Sequence, residues 1–322
     1  MRVVRVEALQ GPEAAKLAES PQPEPRAGEA LVRVHAAGIN YADVMQTRGL
    51  YVGGPKPPYV AGLEAAGEVV SIGQGVSLPV GARVMGFGAG AFAEYVSWPA
   101  TNLLPIPASW SFDQAAAFPI QWLTAHGCLR VCGRLQAGES VLVHAAAGGV
   151  GTAAVHLAKH YGARVFATAS SAAKLEIARQ HGADELIDYT KQDFVAEVKR
   201  LTSGRGVDLI LEMVGGQTFD KNFEAVVPFG RIVVFGSASA QEANVTNTSL
   251  IFRPVEVIGY HVANMATNRP DLLQRDLAEL LPLIEQGVAV PEQPSAYPLE
   301  RCAEALEALA TRRTTGKLVL TP

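Results

Sequence analysis

Three observations predict an α/β chain in which a β-rich domain precedes a doubly wound parallel sheet. The stretch Gly138–Gly151, GESVLVHAAAGGVG, passes from a short apolar run into a glycine cluster and then into helical spacing. Residues before about Pro119 read as short strands punctuated by Gly and Pro, the composition of a compact β domain. From about Gln121 onward helix and strand patterns alternate, which means parallel strands joined by helical crossovers.

Taken in order, the candidate strands of the first part are Arg2–Leu9, Ala30–Ala37, Gly67–Ile72, Ala82–Gly86 and Phe92–Val96, with a proline-rich connection at Ser20–Pro25. Ser140–His144 is apolar on both faces, as a strand buried in a parallel sheet requires. Val150, Ala154, Leu157, Ala158 and Tyr161 then recur at helical spacing. A second strand, Arg164–Thr168, completes a βαβ unit within about thirty residues. There follow a helix at Lys174–Gly182, a strand at Leu186–Tyr189, a helix at Asp193–Thr202 and a strand at Val207–Val214. A helix at Phe219–Val227 and strands at Gly230–Gly236 and Val255–Val262 extend the pattern. Pro270–Gly287 begins with Pro at the first helical position and ends at Gly, and Leu299–Leu320 reads as a helix and a last strand.

The glycine cluster is where chemistry is expected. A helix N-terminus offers unpaired N–H groups and the positive end of the macrodipole, and glycines let the backbone approach a pyrophosphate. Ala147, Gly148, Gly149, Val150 and Gly151 are therefore candidate dinucleotide contacts, although the first position of the fingerprint is Ala146 and not glycine. Phe235, Gly236 and Ser237 end a later strand of the same sheet, where ligands of such sheets sit, and are expected on the nicotinamide side.

Composition narrows the function classes. The net charge is −4 with Lys and Arg dispersed, so no nucleic-acid or membrane-surface footprint is expected. Three cysteines, Cys128, Cys132 and Cys302, make no disulfide framework and suit a reducing, cytoplasmic compartment. The N-terminus alternates apolar and charged residues and lacks the apolar core of a signal peptide. Val141–Ala158 carries no Asp, Glu, Lys or Arg, but its glycine cluster, His144 and His156 argue against a membrane span. His144 reads as a satisfied structural histidine, and His35, His126 and His261 show no triad partner in sequence.

AAGINYADVMQTRGLY (Ala36–Tyr51), GLEAAGEVVSIGQGV (Gly62–Val76) and GESVLVHAAAGGVG together resemble the quinone oxidoreductases of the zeta-crystallin type, zinc-free members of the medium-chain dehydrogenase/reductase superfamily. The resemblance covers essentially the whole chain. It implies a GroES-like catalytic domain over 1–120, completed by 263–322, and a Rossmann NADPH-binding domain over 121–262. Relatives pair two such sheets edge to edge, so Val255–Val262 is expected to join a homodimer.

A catalytic zinc needs three Cys, His or carboxylate ligands around an open position. Where zinc enzymes of the superfamily carry their first cysteine this chain has Asn40, and where they carry His before Glu it has Leu63 before Glu64. The third position falls near Ile120–Gln121, no cysteine-rich lobe follows Ala89, and no metal is expected. Glu64 is expected to pair with a cation or cap a turn.

Without a metal Lewis acid, hydride delivery to a conjugated carbonyl calls for hydrogen-bond donors where electron density moves onto oxygen. An Asn after a strand ordinarily makes a turn, and a Tyr beside a glycine-rich loop ordinarily packs. The resemblance assigns both Asn40 and Tyr51 to the substrate pocket as catalytic donors, with Tyr41, Gln46 and Gln121 as further lining. Lys317, in TTGKLVL, is a further candidate contact to the cofactor.

The end of the second strand, ATASSAAK, has no acid to accept a ribose 2′-hydroxyl before Glu176. Ser170, Ser171 and Lys174 instead offer hydroxyls and charge to a 2′-phosphate, although a serine pair there can equally cap the next helix. Tyr189 lies where the family places a tyrosine against that phosphate. The expected function is NADPH-dependent, zinc-independent reduction of quinones or similar conjugated carbonyls. Two alternatives stand beside it: an enoyl-thioester or alkenal reductase, and a non-catalytic NADPH-binding protein of the crystallin kind.

Overall fold

The computed structural model describes all 322 residues, which divide into two units: Met1–Ile120 with Val290–Pro322, and Gln121–Ala289. In the first unit the strand Glu29–Ile39 is the spine. It pairs antiparallel with Glu64–Ile72 on one edge, and on the other with Tyr95–Pro99 near its start and Leu318–Thr321 near its end. The sheet continues through Arg83–Phe87 to Leu103–Pro105 on one side and through Leu318–Thr321 to Ser295–Pro298 on the other. A smaller sheet of Ala15–Glu19, Arg2–Val6 and Tyr59–Val60 completes the unit. Alternation along these strands turns Val4, Val6, Val32, Val34, Phe92, Trp98, Leu318 and Leu320 into one buried core.

The second unit is a six-stranded, wholly parallel sheet. Its order is Glu185–Asp188, Arg164–Ala169, Ser140–Val143, Val207–Glu212, Val226–Val234, Glu256–Gly259. Numbered within the unit this is 3-2-1-4-5-6, the doubly wound dinucleotide-binding order, which reverses between the first and fourth strands. Leu142, Phe166, Ile187, Ile210 and Ile232 fill its core, as apolar central strands require.

Two features of the second unit lie outside the sequence reading. Residues 263–289 were expected with the N-terminal domain but fall in the second unit. The helix Pro270–Glu285 buries Leu273, Asp276, Leu277 and Leu280, and the Asp276 carboxylate lies 2.6 Å from Nδ1 of His126, a partner the sequence did not show. The far ring nitrogen of His126 is 2.7 Å from the Tyr161 hydroxyl, so this histidine is held from both sides. Cys128 and Cys132 lie on a six-residue π-helix, Gly127–Cys132, where Cys128 is fully buried and that burial pushes its thiol well above its ordinary range.

Candidate active site

In the first unit, strand register gathers three polar side chains. Leu318 pairs with Ile39, so Lys317 and Asn40, one residue beyond each, come side by side. Glu64 pairs with Gly38. Gly38 cannot be another residue: a Cβ there would lie 2.4 Å from the Ala116 carbonyl oxygen and 2.6 Å from Glu64 Oε1. Glu64 is fully buried and Lys317 is 9% exposed. Lys317 Nζ donates to Glu64 Oε1 at 2.5 Å and to Asn40 Oδ1 at 2.8 Å. Asn40 Nδ2 donates to Glu64 Oε1 at 2.8 Å, and the Ile120 N–H donates to Glu64 Oε2 at 2.7 Å. Glu64 thus both pairs with a cation and caps a backbone N–H.

Asn40 is also the N-cap of the helix Tyr41–Thr47, and its own N–H donates to Asp43 Oδ2 at 2.7 Å. Asp43 is buried, its other oxygen has no partner, and its carboxyl is pushed up to about 7. Desolvation is the main cause; the Asn40 N–H and the Lys317 charge oppose it, and the Glu64 charge adds to it. Sequence reading missed Asp43 as a perturbed acid. The spacing of Asn40 and Asp43, a cap and an acid at the third helical position, was its only trace. Tyr41 opens the same helix half-buried, and Gln46 is buried near its end. Tyr51 is half-buried at a tight turn in which the Gly54 N–H donates to its carbonyl, and burial and the Asp43 charge raise its phenol.

In the second unit, the helix Gly149–His160 starts with Gly148 as N-cap, which makes no side-chain cap hydrogen bond. The three glycines serve different ends. A Cβ on Gly151 would lie 2.3 Å from the Ala145 carbonyl oxygen, and one on Gly149 would lie 2.5 Å from the Gln121 amide. Both are fixed by the protein's own packing. A Cβ on Gly148 would meet only the Ala145 oxygen, at 3.3 Å, so packing does not fix this glycine as it fixes the other two. Ala147 is buried behind the turn, and Ala145 takes φ +51° to enter it. Gln121, expected as substrate lining, packs on the glycine turn within the second unit.

At the end of the second strand of this sheet, the Tyr189 N–H donates to the Ala169 carbonyl at 3.2 Å and brings Tyr189 beside Ser170. Ser171 caps the helix Ala172–Gln180, accepting from the Lys174 N–H at 3.4 Å. Its hydroxyl hydrogen stays available as a donor. Register places Asp188 opposite Ala169, but Asp188 is committed to its own turn, accepting from Thr190 Oγ1 at 2.6 Å and pairing with Lys191 at 3.1 Å. No acid is thereby offered to a 2′-hydroxyl by these two strand ends.

Beneath the turn that follows Glu212 lies a buried chain that sequence reading did not find. Val214 and Gly215 N–H groups donate to Glu212 Oε1 at 2.5 and 2.7 Å, and Asn222 Nδ2 donates to Glu212 Oε2. With Asn222 Nδ2 donating to Glu212, Asn222 presents Oδ1 to His144 Nε2, 2.9 Å away, and an amide oxygen only accepts, so that nitrogen carries the proton. His144 Nδ1 is then paired with Thr168 Oγ1 at 3.0 Å, and the histidine is structural as expected. The fixed turn in turn holds the segment after the next strand: Phe235 N donates to the Glu212 carbonyl at 2.9 Å and Ala238 N to that of Met213 at 2.8 Å. Phe235, Gly236 and Ser237 are held against that turn.

Fold and site together define a dinucleotide-dependent dehydrogenase or reductase of two units. Residues 26–108 match the alcohol dehydrogenase GroES-like domain and residues 149–286 the zinc-binding dehydrogenase domain. A quinone oxidoreductase of Rattus norvegicus is 32% identical, over 99% of this chain and 97% of its own. The human synaptic vesicle membrane protein VAT-1 homolog is 35% identical over 93% of this chain and 80% of its own. Among solved structures, Escherichia coli quinone oxidoreductase complexed with NADPH superposes with a TM-score of 0.93 at 32% identity, covering 100% of both chains. The CurK enoyl reductase superposes with a TM-score of 0.91 at 26% identity over 99% of this chain and 98% of its own. The chain belongs to the quinone oxidoreductase-like branch of the medium-chain dehydrogenase/reductase superfamily.

The zinc of the matched domain family does not fit these residues. Asn40 and Leu63 occupy two ligand positions, and Glu64 already carries the Lys317 ammonium at 2.5 Å. No three His, Cys, Asp or Glu side chains gather around one point. A dinucleotide does fit, because a helix start without a side-chain cap, with a glycine at its N-cap that packing does not fix, suits a pyrophosphate.

Proposed function

We propose that this protein is an NADPH-dependent, zinc-independent reductase of quinones and similar conjugated carbonyls. The observation that carries the reading is the Asn40–Glu64–Lys317 cluster, in which Glu64 and Lys317 are buried and Asn40 half-buried, a set of charged and polar groups without a metal ligand set, in a chain that matches NADPH-bound quinone oxidoreductase over its whole length. NADPH supplies the hydride when bound. Ala147, Gly148, Gly149, Val150 and Gly151 take the pyrophosphate, and Phe235, Gly236 and Ser237 the nicotinamide side. Ser170, Ser171, Lys174 and Tyr189 take the 2′-phosphate. Asn40 donates to the substrate oxygen as negative charge builds on it, and Tyr51 donates a hydrogen bond or proton to the same group. Tyr41 and Gln46 shape the pocket.

The protein acts in the cytoplasm, a reading supported by three free cysteines. No helix is long and apolar enough to cross a membrane. It works as a homodimer joined at the Glu256–Gly259 edge. That strand pairs on one side only; Ile251 and Phe252, 71% and 80% exposed, closely precede it in sequence, and the Phe229 N–H donates to the Pro254 carbonyl, which brings Phe229, 80% exposed, to the start of the same strand.

A second reading, an enoyl or alkenal reductase, is favoured by the Tyr51 phenol and by the CurK fold. Tyr51→Phe separates the two. A reduced quinone leaves as a phenolate that water protonates, whereas a reduced enone needs a positioned acid, worth about 10²–10⁴-fold. The quinone reading expects less than about tenfold loss of quinone turnover in the variant, the scale of one neutral hydrogen bond. Collapse of enone turnover, with enones the better substrates of the wild type, would establish the other.

A further inference from the structure

The matched domain family is named for a zinc that this chain cannot hold, and the residues in its place form a closed arrangement of their own. We propose that Lys317 and Glu64 act as a fixed pair of opposite charges that locks the Asn40 amide in one of its two orientations, so that a single Asn40 N–H becomes the donor for the substrate oxygen. This rests on the reading of the protein as a carbonyl reductase.

An ammonium only donates, an ionised carboxylate only accepts, and the two ends of an Asn amide have nearly the same shape. Left to itself the amide could turn by 180° and offer the substrate a carbonyl oxygen. In this cluster Lys317 Nζ lies 2.8 Å from one end and Glu64 Oε1 lies 2.8 Å from the other. Only Oδ1 can face Lys317, and only Nδ2 can face Glu64. The charges themselves are held: Nζ donates to Glu64 Oε1 at 2.5 Å, and the Ile120 N–H occupies Oε2 at 2.7 Å. The Asn40 backbone is pinned by its own N–H to Asp43 Oδ2 at 2.7 Å. What the cluster leaves of Asn40 is one hydrogen on Nδ2. The cation on Oδ1 polarises the amide and strengthens that donor. Lys317 and Glu64 are thus positioning residues that act through Asn40.

Lys317→Met alone strands a buried carboxylate, so the test uses Lys317→Met with Glu64→Gln. The amide introduced by Glu64→Gln can keep an oxygen on the Ile120 N–H only by turning its NH₂ toward Asn40, which must then rotate and offer Oδ1. The double variant should melt within a few degrees of the wild type and bind NADPH within about threefold. Its kcat/KM for 1,4-benzoquinone at saturating NADPH should fall about 10²–10³-fold, the scale of one lost oxyanion donor. Lys317→Arg, still donor-only, should stay within about tenfold.

The amide is also read without turnover. In wild type labelled with ¹⁵N-Asn, the Asn40 side chain should show one slowly exchanging and one fast hydrogen, and the double variant should lose the slow one. Equal exchange of both hydrogens in wild type overturns the lock, whether or not any variant folds. So does a double variant that reduces quinone as well as wild type, or one that loses NADPH affinity alone, which would make Lys317 a cofactor ligand. A wild type inert toward every acceptor refutes the reductase reading and leaves the exchange result to decide the amide.

Discussion

Asp43 ionises only at about pH 7 in the fold, against 3.8 for a free side chain, because desolvation outweighs the Asn40 N–H and the Lys317 charge. Between those two values the folded state holds a proton that the unfolded state has lost. Stability from this group therefore falls as pH rises from about 4 to about 7 and is level above that. Asp43→Asn keeps an acceptor for the Asn40 N–H and removes the titration. Urea unfolding followed at pH 4 to 8 should show the variant gaining on wild type up to about pH 7 and running parallel beyond it. Parallel curves throughout would mean that Asp43 is ionised in the fold. At this scale the sequence showed less than elsewhere. It pointed to Asn40 and to a paired Glu64, but the partner, Lys317, lies 277 residues from Asn40 along the chain. Register across two strands, not local pattern, brings them together. Asp43 likewise reads as a helix acid until burial changes it.

Elements whose pattern is local were legible, with ends shifted by a few residues. Glu29–Ile39, Arg164–Ala169 and Pro270–Glu285 stand where alternation or a Pro–Gly frame predicted them. Ala15–Glu19 and Ser295–Pro298 were missed, since short half-exposed strands carry little apolar signal and owe their state to a neighbour. So was the helix Pro119–His126, which is buried nearly all round. The glycine turn was found for its phosphate chemistry, yet two of its three glycines answer to packing against Gln121 and Ala145. At the open edge Glu256–Gly259, a homodimer should bury Phe252, now 80% exposed. Phe252→Glu should turn a dimer into a monomer by light scattering at micromolar concentration, while leaving the melting of each fold cooperative. A wild type that is already monomeric would remove the edge from assembly.

Across the whole molecule, the proposed function asks two units with separate cores to serve one reaction, and family membership rests on likeness along nearly the full chain. That the strands run parallel was implied by their alternation with helices, but their order was not; the glycine turn stands beside the reversal in that order. The boundary at Ala289 was not legible, because the contacts that tie Pro270–Glu285 to the second unit, among them the buried Asp276–His126 pair, join residues far apart in sequence. The most direct test of the central claim is the loss of NADPH absorbance with 1,4-benzoquinone, run on purified protein after exhaustive chelation. One NADPH should be consumed per quinone reduced, far faster than without protein and in clear preference to NADH. A rate no faster than the uncatalysed one, or a rate abolished by the chelator and restored by zinc, would contradict it.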